Sequence, residues 1–597
     1  MKLPYILPVT GREALEAGWD EIDVLLISGD AYIDHPSFGI AVIGRVLADS
    51  GFRVGIIPQP DWKDKSSVEV FGKPRLFIGI SSGSIDSMLN NYSRPGKKRS
   101  SDVFSCGGEK GRRPDRACIV YSNLCRHAYK DVPIVLGGVE ASLRRFAHYD
   151  YWEDNIRKSI LVDSKADIIV YGMGESQILE IAQRLDSGKD KASLYDIDGI
   201  AYVSKSPPEN SIIIPEFSEI VSDKKKFAEA FRIISANSCC GGKTRPIAQK
   251  YDARYVVQNN PAEPLTEIEM DYIYSLPYTR DPHPVYKKDI PALEPVKWSV
   301  TSHRGCFGEC SYCSIPVMQG NVIQNRSEDS IIGEITMLSK RHDFKGTVHV
   351  LSGPTSNMYK MGCRVNKGSH CGDRTCLFPE ICGNLDFDHM PQIKLINRIK
   401  KIPGVKNVFV TSGLRYDLVL RDEKSGYLEF ICDGHISGQL RVAPEHISER
   451  VLKVMKKPPF KLYLDFAEKF KSVNRRIGRK QFLIPYYISA HPGCAVEDML
   501  ELALYFRKTH FIPDSIQEFT PTPGSISTCM YYTGMDPFTG QKLHVPSNNH
   551  EKALQRALAH FDRESNKNLV EKALEACKRK DLIGFGGKSL ISPQKKR

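Results

Sequence analysis

The chain has 597 residues, too many for one ordinary hydrophobic core, so two or three domains are expected. Hydrophobic residues make up 41% and charged residues 26%, a balance that argues against a disordered chain and against an integral membrane protein. The net charge of +12 is mild for this length. Much of the excess falls in residues 94–116 and in the tail 594–597, which are expected to be solvated loops.

The first residues show no basic segment followed by an apolar one, so no secretory signal is expected. No apolar stretch has the length that a bilayer span needs, so no membrane partner is expected either. A cytoplasmic location follows as the expectation. In a reducing compartment, clustered members of the 16 cysteines are expected to be metal ligands or catalytic groups rather than disulfides.

The first part of the chain alternates short apolar runs with helical stretches. Candidate strands cover residues 23–27, 53–57, 75–80, 133–138 and 167–172. This pattern predicts an α/β domain over residues 1–205 with a mostly parallel, Rossmann-like sheet. Residues 206–291 are weaker in pattern and rich in proline, which predicts a linker.

A second alternation predicts another α/β domain over residues 292–560. Its candidate strands cover residues 296–303, 347–353, 407–413, 438–446, 481–489 and 516–524. Six such units fit a partial (β/α)6 barrel of the TIM type, in which the strand C-termini carry the site. Residues 561–597 are expected to form a C-terminal helix and a basic tail.

The strongest chemical signal is Cys306, Cys310 and Cys313, a C-x3-C-x2-C spacing just after the first strand of the second domain. Three thiolates in one short loop can each bind one corner of a [4Fe–4S] cluster, which leaves one iron open to a further ligand. The alternative is a structural zinc site with a fourth ligand. Zinc loops favour C-x2-C pairs, so this spacing fits zinc poorly.

The motif, with Tyr312 just before the third cysteine, resembles the signature of the radical S-adenosylmethionine (SAM) superfamily. The resemblance implies that the open iron binds SAM. It also implies that one electron from the cluster cleaves SAM to a 5′-deoxyadenosyl radical. VAPEHIS, YYISAHPGC and FTPTPGSISTCMYYTGMDPFTG extend the likeness over nearly the whole chain to the YgiQ-type radical SAM proteins. The resemblance also implies an electron donor such as flavodoxin or ferredoxin. It does not identify the substrate, which could be a small molecule or RNA.

The same resemblance implies SAM contacts at the strand ends of the second domain. The expected residues are Ser352, Gly353, Ser412, Arg441, Glu445 and Gly493. Pro354 stands where the superfamily carries a glutamate, so contacts to the SAM amino group would have to come from backbone groups. For each position the alternative is an ordinary βα turn.

A second group of cysteines, Cys363, Cys371, Cys376 and Cys382, interrupts the predicted barrel after its second strand. One interpretation is an auxiliary iron–sulfur cluster, and another is a structural zinc that fixes a long loop. The C-x7-C-x4-C-x5-C spacing matches neither cleanly, so a loop without metal is a third interpretation.

A Rossmann-like domain ahead of such a barrel resembles the cobalamin-binding domains of the superfamily. Those that ligate cobalt use D-x-H-x-x-G, and the spacing of His35 to its Asp and Gly neighbours differs from that motif. Cobalamin is therefore doubtful, and His35 is expected to be a loop histidine.

The sequence thus predicts a radical SAM enzyme of unassigned reaction. The rival from another class is a non-catalytic iron–sulfur or zinc protein that binds nucleic acid through its basic loops, which permit such binding without requiring it.

Overall fold

A computed structural model describes residues 5–238, 244–366, 371, 375–410 and 413–593. The α/β class is confirmed, with an N-terminal sheet domain followed by a partial barrel. Within the described ranges, no helix is both long enough and apolar enough to cross a membrane.

The N-terminal domain is built on one sheet of nine strands. The strands are β1 Val24–Ser28, β2 Val54–Pro58, β3 Phe77–Ser81, β4 Ile134–Gly137, β5 Ile168–Val170, β6 Ile200–Ser204, β7 Ile212–Ile214, β8 Ile247–Tyr251 and β9 Arg254–Gln258. Their order across the sheet is β7-β8-β9-β6-β5-β4-β3-β1-β2. The half from β5 to β2 is parallel throughout. Within it, β3 and β4 lie on one side of β1, and β2 lies on the other side of β1. The order therefore reverses between β1 and β3, where open α/β sheets bind ligands.

The structure differs from the expected linker over residues 206–291. Strands β7, β8 and β9 lie in this segment and extend the sheet beyond β6. The β6–β9 and β9–β8 pairs are antiparallel, and β7 pairs with β8 in parallel. These strands are short, and β7 is a partly exposed edge strand, so their apolar pattern in the sequence is weak. Two helices, Phe217–Ser222 and Lys224–Ala236, lie between β7 and β8. The part after β9 connects the sheet to the barrel and includes one helix of nine residues.

Both faces of the sheet are covered, which accounts for the continuous apolar run in β1. The side chains of Leu25 and Ile27 pack on one face, and those of Val24 and Leu26 pack on the other. The helices of this part are α1 Gly11–Glu16, α2 Gly39–Asp49, α3 Ser87–Asn91, α4 Ala117–Ala128, α5 Gly138–Leu143, α6 Ile160–Ser164, α7 Glu175–Asp186, α8 Phe217–Ser222, α9 Lys224–Ala236 and α10 Glu267–Ser275.

The second domain contains the six strands expected of a partial barrel. They are β10 Ser299–Thr301, β11 Val350–Ser352, β12 Asn407–Val408, β13 Gln439–Glu445, β14 Phe482–Ser489 and β15 Gln517–Glu518. Each pairs in parallel with the next along the chain. A two-residue strand Thr347–Val348 joins the second strand to β12, and a bridge from Leu414 to Val442 joins the third to β13. All six C-terminal ends therefore open at the same mouth.

Helices surround the barrel and close the C-terminal end of the chain. They are α11 Ile315–Gln319, α12 Glu328–Ser339, α13 Met390–Ile399, α14 Tyr416–Arg421, α15 Tyr427–Cys432, α16 Glu449–Val454, α17 Phe460–Ile477, α18 Val496–Thr509, α19 Ile526–Thr533, α20 Asn549–Ala559 and α21 Lys567–Ala576. One buried cluster includes Leu25 of the sheet, Tyr487 of the barrel and Leu554 of α20. The two domains therefore share a core, which fixes the sheet edge against the barrel.

Candidate active site at the mouth of the barrel

The three cysteines of the C-x3-C-x2-C motif lie in a tight loop between β10 and α11. Cys306 is buried, whereas Cys310 and Cys313 are half-buried. The Cys313 amide donates to the Cys310 carbonyl oxygen at 3.0 Å, which closes the turn. The loop opens at Gly305, whose φ is 85° and where a Cβ atom would lie 2.1 Å from the Val322 carbonyl oxygen. Only glycine fits at that point.

Donors from the loop and from the second strand end contact the Cys306 sulfur. The Gly308 amide lies 3.4 Å from this sulfur, and Thr355 Oγ1 lies 3.3 Å from it. Burial raises the pKa of the Cys313 thiol to about 12, so this thiol keeps its proton until a metal displaces it. Thiol sulfurs with backbone donors are the ligand chemistry that iron–sulfur clusters use, so the loop fits a [4Fe–4S] group.

In the described part of the chain, no three His, Cys, Asp or Glu side chains surround a point where a single metal ion could sit. A cubane cluster does not require such a point, because each thiolate binds a different iron atom.

Arg415 places a positive charge beside the cysteine loop. Its Nη1 lies 3.9 Å from Cys310 Sγ, while Nε and Nη2 donate to the two carboxylate oxygens of Asp417 at 2.9 and 2.5 Å. Burial acts to raise the pKa of Asp417, but the guanidinium overcomes it and holds that pKa below its ordinary value. The carboxylate thus fixes a cation that can offset the negative charge of thiolate ligands.

Tyr312, inside the cysteine loop, bonds to the end of the fourth barrel strand. Its hydroxyl donates to Glu445 Oε1 at 2.6 Å. Glu445 is buried, and burial raises the pKa of its carboxyl group. Its φ of 68° lies in the left-handed region, next to an irregularity in the register of β13. Such bulges re-aim a side chain, and here the carboxylate is turned towards the cysteine loop.

His303 connects the start of the cysteine loop to the second strand end. Its Nε2 donates to the Thr355 carbonyl oxygen at 3.0 Å, and Nδ1 lies 2.9 Å from the Ser302 hydroxyl. Burial lowers the pKa of His303 to about 4, which keeps the ring neutral. A Cβ atom on Gly353 would lie 2.4 Å from the His303 carbonyl oxygen, so this glycine is required by packing. Ser352 is buried, and its carbonyl accepts from the Ser302 amide at 3.0 Å.

The fifth strand end also reaches the cysteine loop. His491 Nε2 lies 2.7 Å from the Ser527 hydroxyl, which donates to the Ser311 hydroxyl at 2.9 Å. Gly493 has a φ of 89°, and its amide donates to the His544 carbonyl at 2.7 Å. Gly493 is thus placed in a βα turn near the mouth, where glycine satisfies the backbone conformation.

Arg441 and Ser412 are the remaining expected SAM contacts. Arg441 is exposed, and its neighbours Leu440 and Val442 belong to the core between strands and helices. Because side chains alternate along a strand, Arg441 points away from that core and towards the interior of the barrel. Ser412 lies outside the described residues.

A cavity of about 640 Å³ lies between the edge of the N-terminal sheet and the barrel. The sheet contributes Ser28, Ser84 and Gly138 from the C-terminal ends of β1, β3 and β4. The barrel contributes His303 and Gly353 beside the cysteine loop. The cavity thus joins the switch point of the sheet to the expected SAM contacts.

Glu175, the first residue of α7, also lines this cavity and contacts the barrel. Its Oε1 accepts a hydrogen bond from Arg304 Nη1 at 2.6 Å, and both side chains are buried. Arg304 Nε donates to the Tyr274 hydroxyl at 3.1 Å. No described residue bonds to the buried Glu175 Oε2, so one carboxylate oxygen retains an unmet acceptor.

The second cysteine group lies at the same mouth, in the loop between β11 and α13. Its four members are half-buried: Cys363, Cys371, Cys376 and Cys382. Part of this loop packs against the Cys306 side of the first cysteine loop.

Models of known protein families match three successive parts of the chain. "Radical SAM N-terminal" matches residues 6–299, "Radical SAM superfamily" matches residues 300–503, and a domain of unknown function, DUF3362, matches residues 514–597. The UPF0313 protein of Methanocella arvoryzae is 50% identical, over 98% of each chain. That of Methanosarcina acetivorans is 47% identical, over 99% of this chain and 83% of the relative.

Two solved structures resemble the fold at low sequence identity. One is the radical S-adenosylmethionine methyltransferase TsrM from Kitasatospora setae, determined with cobalamin and a [4Fe–4S] cluster. It has a TM-score of 0.47 and 13% identity, over 93% of this chain and 99% of that one. The other is the cobalamin-dependent enzyme OxsB, with a TM-score of 0.47 and 11% identity, over 93% of this chain and 57% of that one.

The cysteine loop at the mouth of a partial barrel and the family matches define a radical SAM enzyme, which uses a [4Fe–4S] cluster and SAM. Its reaction is unassigned, and a non-catalytic metal protein is no longer the alternative. The chain belongs to the UPF0313 family.

The sequence did not single out Arg415, Asp417 or Thr355 as site residues. A signal was present, because all three follow the second and third predicted strands, where a barrel collects its functional side chains. The motif did include Tyr312, but its partner Glu445 could be assigned only from the register of β13.

Proposed function

We propose that Cys306, Cys310 and Cys313 bind the [4Fe–4S] cluster and that SAM occupies the barrel mouth beside them. The observation that carries this proposal is the loop itself, which offers three thiols and backbone donors at the strand C-termini. Three ligands leave one iron for SAM. When bound, the reduced cluster supplies the electron that cleaves SAM.

In this proposal the protein residues orient the bound groups and balance their charge. Arg415, held by Asp417, offsets the negative charge of the thiolate ligands. Tyr312 and Glu445 tie the cysteine loop to the fourth strand and fix the distance between the two elements. Ser352, Gly353 and Gly493 lie at strand ends around the mouth, where such folds bind their ligands.

We propose that the substrate is a small organic molecule that binds in the cavity between the two domains. The cavity volume of about 640 Å³ and its mainly apolar walls are typical of small-molecule sites. The unmet acceptor on Glu175 suits a hydroxyl or amide donor on the substrate. His303 and Gly353 line the same space, so a bound substrate would lie near SAM.

RNA is the alternative substrate, and its support is the excess of basic residues. One observation weakens that support. The basic stretch at residues 94–116 was expected to be a solvated loop, but Arg113 within it is buried. Arg113 donates to Asp30 Oδ1 and to the Ser82 carbonyl, both at 2.6 Å. Arg116 is paired with Asp150. These arginines stabilise the fold, so fewer charges remain for phosphate contacts.

Cobalt ligation by His35 does not fit the structure. The histidine is fully buried, its Nδ1 accepts from the Ser37 amide at 3.0 Å, and its Nε2 lies 3.0 Å from Arg280 Nη1. Both ring nitrogens therefore have partners within the fold, so the proposal includes no cobalt ligand from this residue.

The proposal also includes a cytoplasmic location and a one-electron donor such as flavodoxin or ferredoxin. The support is chemical, because free thiols and a reducible cluster need a reducing compartment.

The proposed function is tested by anaerobic reconstitution with iron and sulfide, reduction with dithionite and addition of SAM. We expect 5′-deoxyadenosine from the wild-type protein and none from Cys310→Ala. Cys577→Ser, which changes a half-buried thiol outside both groups, should retain the wild-type yield. A wild-type protein that holds its cluster but forms no 5′-deoxyadenosine would contradict the proposal.

A further inference from the structure

The loop that carries the second cysteine group is long, and its described residues have little regular structure. It connects β11 to α13, and among its described residues Gly362–Cys363 pairs with Leu385–Asp386. A loop of this length in a compact domain needs a stabilising device or a function. Four cysteines within it offer a metal as that device.

Hydrogen bonds connect the first two cysteines of this loop. The Asn366 backbone amide donates to Cys363 Sγ at 3.3 Å. The Asn366 side-chain amide donates to Cys371 Sγ at 3.2 Å. One residue thus contacts both sulfurs, and hydrogen bonds to the cysteine sulfurs are part of the environment that iron–sulfur clusters use.

The other two cysteines are joined to Cys363 through the backbone. The Cys382 amide donates to the Cys376 carbonyl oxygen at 2.9 Å, and the Leu385 amide donates to the Cys382 carbonyl oxygen at 3.0 Å. Leu385 in turn pairs with Cys363. These contacts bring the backbones of Cys363, Cys376 and Cys382 into one part of the loop, and Asn366 joins Cys371 to Cys363.

This part of the loop packs directly on the first cysteine loop. Cys376 and Cys382 lie against a buried apolar cluster that contains Cys306, Met358 and Met361. Cys306 is buried, whereas the four cysteines of the second group are half-buried. The second group thus lies next to the first and nearer to solvent.

We propose that Cys363, Cys371, Cys376 and Cys382 bind a second [4Fe–4S] cluster beside the one on Cys306, Cys310 and Cys313. Four thiolates are the full ligand complement of such a cluster, so each iron is bound by the protein and none is left for SAM. Structural zinc favours cysteine pairs separated by two to four residues, a spacing that the C-x7-C-x4-C-x5-C pattern offers only once. The inference does not depend on the substrate.

The test uses the full-length chain, reconstituted anaerobically with iron and sulfide. One variant replaces Cys306, Cys310 and Cys313 with alanine, and a second replaces the four cysteines of the other group with serine. We expect about eight irons per chain in the wild type and about four in each variant. Mössbauer spectra should show [4Fe–4S] clusters in both variants. Cys577→Ser should keep the wild-type iron content.

Two results would overturn the inference. One is a triple-alanine variant without an iron–sulfur cluster, and the other is stoichiometric zinc that is lost on changing the second group. The first result, with a wild-type cluster that still cleaves SAM, would leave the proposed function intact. Conversely, a wild-type cluster that survives in the triple variant and disappears in the quadruple variant would refute the proposed ligands and support the second site. Should the quadruple variant fail to fold, Cys371→Ser with Cys376→Ser replaces it.

Discussion

We expect the loss of the buried ion pair between Glu175 and Arg304 to destabilise the cysteine loop more than any other change that leaves the proposed cysteine ligands in place. Glu175 begins α7 of the N-terminal domain, and Arg304 lies two residues before Cys306. Both side chains are about 5% exposed, and the Nη1 to Oε1 distance is 2.6 Å. Replacement of Glu175 by leucine leaves the guanidinium buried without its counter-charge.

The expected cost follows from the burial. Removal of one partner from a buried pair costs about 3–5 kcal/mol, a large fraction of the 5–15 kcal/mol typical of a folded domain. With urea slopes of about 1–3 kcal/mol per molar, the midpoint of the affected transition should fall by at least about 1 M. The exposed pair of Arg12 and Glu16 is the control, and Glu16→Gln should change stability by less than about 1 kcal/mol.

The assay is urea unfolding followed by fluorescence, together with the iron content after anaerobic reconstitution. The double variant Glu175→Leu, Arg304→Met removes both charges and should be more stable than Glu175→Leu alone. Glu175→Leu should also retain less iron, because Arg304 anchors the start of the cysteine loop. A Glu175→Leu midpoint equal to that of Glu16→Gln, or additive costs in the double variant, would refute the reasoning.

Three further outcomes follow from the packing around the mouth. Gly353→Ala should destabilise the protein and weaken SAM binding, because a Cβ atom there meets His303. Gly413→Ala is the control, since a Cβ atom there meets no described residue within 4 Å. Isothermal calorimetry compares the SAM affinity of the two variants. Tyr312→Phe removes the donor to Glu445 and should cost about 1.5–3 kcal/mol in urea unfolding, with a higher KM for SAM. Burial lowers the pKa of His446 to about 4, so the unfolded chain, with a pKa of about 6.5, takes up the extra proton first. Thermal stability should therefore fall as the pH drops from about 6.5 to about 4, and less so in His446→Gln; an equal fall in both would contradict this.

Much of the fold was predictable because local patterns determine it. The runs that became β1 to β5 and the six barrel strands are apolar, bounded by turns and separated by helices, and parallel sheets require that alternation. The position of the site was predictable for the same reason, since polar and glycine residues follow each barrel strand. The spacing of Cys306, Cys310 and Cys313 indicated the chemistry without any knowledge of the fold.

The parts that could not be predicted depend on contacts between distant residues. Arg113 looks like part of a solvated basic loop in the sequence, but Asp30, 83 positions away, holds it in the core. Strand β7 is recognised as a strand only through its parallel pairing with β8. The role of Arg415 depends on Cys310, 105 positions earlier, and no spacing rule relates the two.

The most direct test of the account is the electron paramagnetic resonance spectrum of the reduced chain in which Cys363, Cys371, Cys376 and Cys382 are serine. In this variant the only predicted cluster is the one with an open iron. We predict a [4Fe–4S] signal whose g values shift when SAM is added. A signal that SAM leaves unchanged, or no cluster signal at all, would contradict the assignment of the first three cysteines.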